Sequence, residues 1–166
     1  MNKIQSLLII LACLTGVLVT SSCEEVDDDS IPYMPVYIDL GIPAYWQSYG
    51  VHYLGDYKRF IKEDRVPSDF HYNLTTETGF GGVLLVTAID NIPLAYDLAC
   101  PVEIKRNVRV NFNPETRRAV CPKCHSEFDV CEFGGSPVSG EAKDRKWALR
   151  RYQAIPVEGG YKIVQR

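Results

Sequence analysis

Two Cys-Pro dipeptides constrain this chain more than any other feature. One opens Cys100-Pro101-Val102-Glu103 and the other opens Cys121-Pro122-Lys123-Cys124-His125-Ser126, with residues 101–120 between the leading cysteines. Proline locks its own φ, and directly after a cysteine it favours a tight knuckle whose backbone N–H groups face the sulfur. Two such knuckles are a common frame for a thiolate metal site, and the pair is far more specific than one Cys-x-x-Cys alone. Cys100, Cys121 and Cys124 are therefore candidate ligands, with Glu103, His125 or Cys131 as the fourth. Three thiolates with one nitrogen or oxygen donor suit tetrahedral zinc. An all-thiolate set that includes Cys131 suits a low-potential iron–sulfur cluster. The same four cysteines are an even number, which in an oxidising compartment pairs as disulfides in one of three connectivities. A third use is as small buried apolar residues with no ligand.

The sequence around them reads as strand. Ten tyrosines and six phenylalanines stand among many valines and isoleucines, the residues that suit a pleated, half-buried surface. Strands are expected at Val36–Leu40, at 83–88 (Val-Leu-Leu-Val-Thr-Ala) and at 94–98, the last two joined by a turn at Asp90-Asn91-Ile92-Pro93. A further strand is expected at 108–112, turning at Asn113-Pro114, and a closing hairpin at 148–164 through Glu158-Gly159-Gly160. Residues 45–69 are ambiguous: 56–64 reads as a short helix, and Tyr45, Trp46, Tyr49, Tyr53 and Tyr57 read as barrel core and lid rather than an aromatic platform. His52 and His71 read as structural or surface residues, and 143–146 with Arg150-Arg151 as a solvated edge. The sum is six to ten short antiparallel strands in a barrel or sandwich.

The first residues read as an address. Lys3 precedes an apolar stretch from Leu7 to Val19, too short for a bilayer span, which ends in Thr20-Ser21-Ser22-Cys23. Small residues before a cysteine resemble a bacterial lipobox. That resemblance implies a lipoprotein signal peptide at 1–22, a fatty-acylated (palmitate-type) Cys23 as first mature residue, and a place in the cell envelope as an outer-membrane lipoprotein, facing the periplasm or the surface. Residues 23–35, with the acidic run Glu24-Glu25-Val26-Asp27-Asp28-Asp29, read as a solvated tether. The net charge is -3, and losing Lys3 takes the mature part to -4. That balance offers nothing to a nucleic-acid backbone, so the expected partner is the membrane.

From Gly81 onward the order of motifs resembles a Rieske domain. Gly81-Gly82-Val83-Leu84-Leu85-Val86 and Ala95-Tyr96-Asp97-Leu98-Ala99-Cys100-Pro101 are similar to the entry of the cluster-binding part. So are Cys121-Pro122 with Ser126, Phe128-Asp129, and Gly134-Gly135-Ser136-Pro137-Val138-Ser139-Gly140-Glu141-Ala142. The resemblance implies a mostly β domain at 36–166, a Rieske-like antiparallel barrel or sandwich carrying a small rubredoxin-like two-knuckle subdomain at about 97–142. It also implies a [2Fe–2S] cofactor, Ser126 supporting the cluster loop, and an envelope redox partner. The departures fall on the ligands. Val102 stands where the first histidine belongs, Cys124 stands where the second belongs, and His125 takes a position usually held by glycine. Two imidazoles on one iron set a Rieske potential, and neither is in place. The n-region also lacks the twin arginine used to export proteins folded around clusters, which leaves zinc, disulfides or no cofactor as the expectations for the site. No Ser/His/Asp set, phosphate loop or carboxylate pair stands out, so the chain reads as a non-enzyme, at most a redox carrier.

Overall fold

The computed structural model describes residues 25–166. The leader stretch, its cleavage point and the lipidation of Cys23 lie outside the described residues. Eleven strands and two short helices follow in the order β1 (Val36–Leu40), α1 (Pro43–Tyr49), β2 (Tyr57–Phe60), β3 (Glu77–Thr78), β4 (Val83–Thr87), β5 (Pro93–Asp97), β6 (Asn111–Asn113), β7 (Arg118–Val120), β8 (Glu127–Asp129), β9 (Ser136–Ser139), α2 (Glu141–Arg145), β10 (Arg151–Val157) and β11 (Gly160–Val164). The protein is mostly β. Seven strands pair antiparallel in the order β2-β4-β5-β10-β11-β1-β3, a barrel-like sheet that is nearly closed. The other four, β6-β7-β8-β9, form a small antiparallel sheet of their own.

Strand β4 explains how the two sheets join. All five of its residues are buried, which is why it reads as an unbroken apolar run. Val83 and Leu85 point into the barrel with Ile38, Leu40, Phe60, Phe70, Tyr152 and Ile163. Leu84 and Val86 point the other way, against a second core made with Tyr96, Leu98, Phe112, Phe128 and Leu149. Period-two alternation thus sends one strand's side chains into two cores. Each fully buried Leu, Val or Phe contributes roughly 1.5–3 kcal/mol, so this strand fixes the small sheet on the barrel. Strand β10 is shared similarly: Arg151 and Tyr152 pair with β5, and Gln153 to Val157 pair with β11.

The expected strands at 36–40, 83–88 and 94–98 are present, with β4 and β5 paired through the 90–93 turn. The closing hairpin is present as well. Other expectations are corrected. Residues 56–64 are not helical: Tyr57–Phe60 form β2, which completes its hydrogen bonding against β4, a long-range pairing that overrides weak local preference. The strand expected at 108–112 is regular only from Asn111, with Arg109 making an isolated bridge to Ala99. Tyr45, Trp46 and Tyr49 ride on α1 and pack against the barrel core, while Tyr53 is 67% exposed. His52 and His71 are exposed.

The solvated reading of Arg150 is also corrected, while Glu25, Val26, Asp27 and Asp29 are exposed as the acidic run's reading expects. Asp27 makes a parallel bridge with Trp147, with hydrogen bonds from Asp27 N–H to the Lys146 carbonyl and from Ala148 N–H to the Asp27 carbonyl. Ile31 is 1% exposed. Arg150 is buried; its guanidinium donates to the Ile31 carbonyl at 2.5 Å and pairs with Asp29 at 3.0 Å. Arg166 pairs with Asp28 at 3.1 Å. Residues 27–31 are therefore stitched along the domain, because Arg150 needs an anion and a carbonyl once it is buried.

Candidate metal centre

The two knuckles are built alike. Cys100 follows β5, and the Ile104 N–H donates to the Cys100 carbonyl at 2.9 Å. Cys121 follows β7, and the His125 N–H donates to the Cys121 carbonyl at 3.1 Å. In each, the fourth residue after the cysteine turns left-handed, with φ of 50° at Ile104 and 58° at His125. This is the position where glycine is usual, since a Cβ there is strained. Backbone N–H groups aim at the sulfurs: Lys123 N–H lies 3.5 Å from Cys121 Sγ, and those of Val102 and Glu103 face the Cys100 sulfur.

These turns bring Cys100, Cys121 and Cys124 together. Their three sulfurs all lie within 4.8 Å of one another, and Cys100 Sγ and Cys124 Sγ are 3.5 Å apart. Cys100 and Cys121 are fully buried, and Cys124 forms the partly exposed lip. Burial pushes the Cys100 thiol far up from its ordinary value. At Cys124 burial also acts upward, but the Ser126 hydroxyl and N–H, with the two neighbouring thiols, hold its pKa below the ordinary value. One acidic thiol at the lip gives an incoming cation a first thiolate to bind.

Ser126 holds Cys124 in place. Its hydroxyl lies 3.3 Å from Cys124 Sγ and accepts the Ala142 N–H at 3.1 Å. Gly140, at φ 76°, closes over it; a Cβ there would stand 2.8 Å from Ser126 Oγ. Ser126 thus links the second knuckle to the start of α2.

The three possible fourth donors lie elsewhere. Among the described residues the mutually close donors are these three sulfurs alone. Cys131 is buried beside Ala88, Ile89 and Glu132 at a cavity of about 230 Å³, and burial raises its pKa to about 11. His125 is exposed. The Glu103 side chain is 12% exposed and pairs across the knuckles with the Lys123 ammonium.

One residue that organises the site escaped the sequence reading. The Asp97 carboxylate accepts hydrogen bonds from the N–H groups of Ala99 at 2.7 Å, Phe80 at 2.8 Å and Gly81 at 2.9 Å, and from the Tyr152 hydroxyl at 2.5 Å. Burial pushes its pKa up, and the four donors pull the other way. Because all four are donors, they match an ionised, acceptor-only carboxylate. Asp97 ties the first knuckle's approach to β4 and β10. The one local signal was a lone acid in the apolar run 93–100.

A scan against protein-family models and a search of curated proteins return no match for this chain.

Proposed function

We propose that this chain is a thiolate metal-binding module of Rieske-like lineage, tethered to a bacterial envelope membrane through an acylated Cys23. The carrying observation is the convergence of Cys100, Cys121 and Cys124 within 4.8 Å on two matched knuckles. Tetrahedral zinc, with Zn–S bonds of about 2.3 Å, separates its sulfurs by about 3.8 Å, so this triangle needs little movement to close on the ion. Zinc bound here would act structurally, locking the two knuckles.

The donor set does not fit a histidine-ligated [2Fe–2S] cluster. Such a cluster needs four protein ligands, two of them imidazoles. Val102 has no donor, and Cys124 supplies sulfur where nitrogen is required. Metal binding therefore stands ahead of electron transfer to an envelope partner.

The test uses the full chain under reducing conditions. One zinc should bind per chain, and Cys100→Ser, Cys121→Ser and Cys124→Ser should each weaken it at least about tenfold, the loss typical even of a ligand's supporting partner. Cys131→Ser should leave it unchanged. Equal loss on Cys131→Ser would contradict the assignment.

A disulfide reading draws on the 3.5 Å approach of Cys100 and Cys124. It requires the sulfurs to close to about 2.05 Å and leaves Cys121 buried beside the bridge. Under that reading, oxidised protein should yield a peptide pair linking residues 100 and 124.

A further inference from the structure

The likeness of the two knuckles extends to the missing ligand. Each begins with Cys-Pro, directs the N–H of its second following residue at the sulfur, and ends at a left-handed fourth residue whose N–H returns to the cysteine carbonyl. The two turns therefore share these features position by position, from the leading cysteine to the fourth residue after it. In the second knuckle the third residue after the cysteine is Cys124, which reaches across to 3.5 Å from Cys100, the lead cysteine of the other turn. In the first knuckle the third residue is Glu103. The same turn must direct that side chain across toward the second knuckle, and Glu103 does cross: its partner is Lys123, beside Cys124.

We infer that Glu103 is the fourth ligand of the metal centre, the first knuckle's counterpart of Cys124. This rests on the metal-binding reading. The Glu103 carboxylate lies outside the sulfur triangle and is held by the Lys123 ammonium, yet its side chain is only 12% exposed against 56% for Lys123. With so little exposure the carboxylate needs a cationic partner, and a divalent cation at the sulfurs would replace the ammonium in that role. A carboxylate oxygen with three thiolates suits a borderline ion such as zinc better than copper(I), which selects soft thiolate and thioether donors.

Cobalt(II) is the probe, with the full chain under reducing conditions, because its visible bands report ligand geometry and its thiolate-to-metal absorption reports how many sulfurs bind. Glu103→Gln should weaken cobalt and zinc binding at least about tenfold and alter the visible bands. Glu103→Cys should keep one metal per chain and raise the charge-transfer absorption in the ratio of four thiolates to three. Lys123→Gln, which breaks the same ion pair from the other side, should leave affinity unchanged or tighten it. If Glu103→Gln keeps both affinity and bands, or if Lys123→Gln weakens binding as much as Glu103→Gln, the fourth ligand is not Glu103. If the unaltered chain binds neither metal, the centre itself falls, and this assignment with it.

Discussion

The Asp97 network offers the clearest energetic test of the fold beneath the site. Each oxygen accepts two bonds: one from Ala99 and Gly81 N–H, the other from Phe80 N–H and the Tyr152 hydroxyl. Asp97→Asn keeps the shape but replaces one acceptor oxygen with an NH₂ group. With the amide oxygen turned to Ala99 and Gly81, the Phe80 N–H and the Tyr152 O–H face another donor. A buried donor left unsatisfied costs about 1–3 kcal/mol, so two cost about 2–6 kcal/mol. Tyr152→Phe removes a single bond to a charged acceptor and should cost about 1.5–3 kcal/mol. Urea unfolding of the reduced protein, with m-values of about 1–3 kcal/mol/M, resolves both as shifts in midpoint at constant m. Asp97→Asn should be the more damaging of the two. Should Tyr152→Phe prove as costly, or Asp97→Asn cost under about 1 kcal/mol, the carboxylate is not the shared acceptor described above.

Three further outcomes are expected. Ser126→Ala removes the buried acceptor of the Ala142 N–H and should cost about 1–3 kcal/mol in the same unfolding assay, with weaker metal binding beside it. At Asp39 burial acts upward, but the Gly41 N–H and Lys162 hold the carboxyl net below its usual value. Its stabilisation is thus present above the unfolded pKa of about 3.9 and lost as pH falls through the lower folded value. Asp39→Asn should therefore lower the melting temperature slightly at pH 7 and match the unaltered protein in strong acid. Cys23→Ser should release the protein from membranes into the soluble fraction; retention at normal processing would contradict lipidation.

The cysteine convergence was legible because Cys-Pro is a local device: proline sets the turn, and the spacing leaves room for one hairpin between the turns. Strand β4 was legible for a related reason, since burial on both faces leaves an apolar run with no polar interruption. What stayed hidden depends on distant partners. Asp97 is only a lone acid in an apolar run until Tyr152, 55 residues away in sequence, closes over it. Arg150 reads as solvated until the Ile31 carbonyl, 119 residues away, receives its guanidinium. Strand β2 carries Lys58 and Arg59 between Tyr57 and Phe60, so only its pairing with β4 reveals it as strand. The fourth ligand was hidden differently. Glu103, His125 and Cys131 have suitable chemistry alike, and only the matched turns single out Glu103.

The central claim is that three thiolates on two knuckles hold a metal ion. Protein isolated from its own host, kept from air, tests it most directly through elemental analysis and thiol counting on the same sample. The account predicts about one zinc per chain, no histidine-ligated [2Fe–2S] paramagnetic signal, and free thiols at Cys100, Cys121 and Cys124 that become reactive only once a chelator is added. Metal-free protein with Cys100 and Cys124 joined in a disulfide would contradict it.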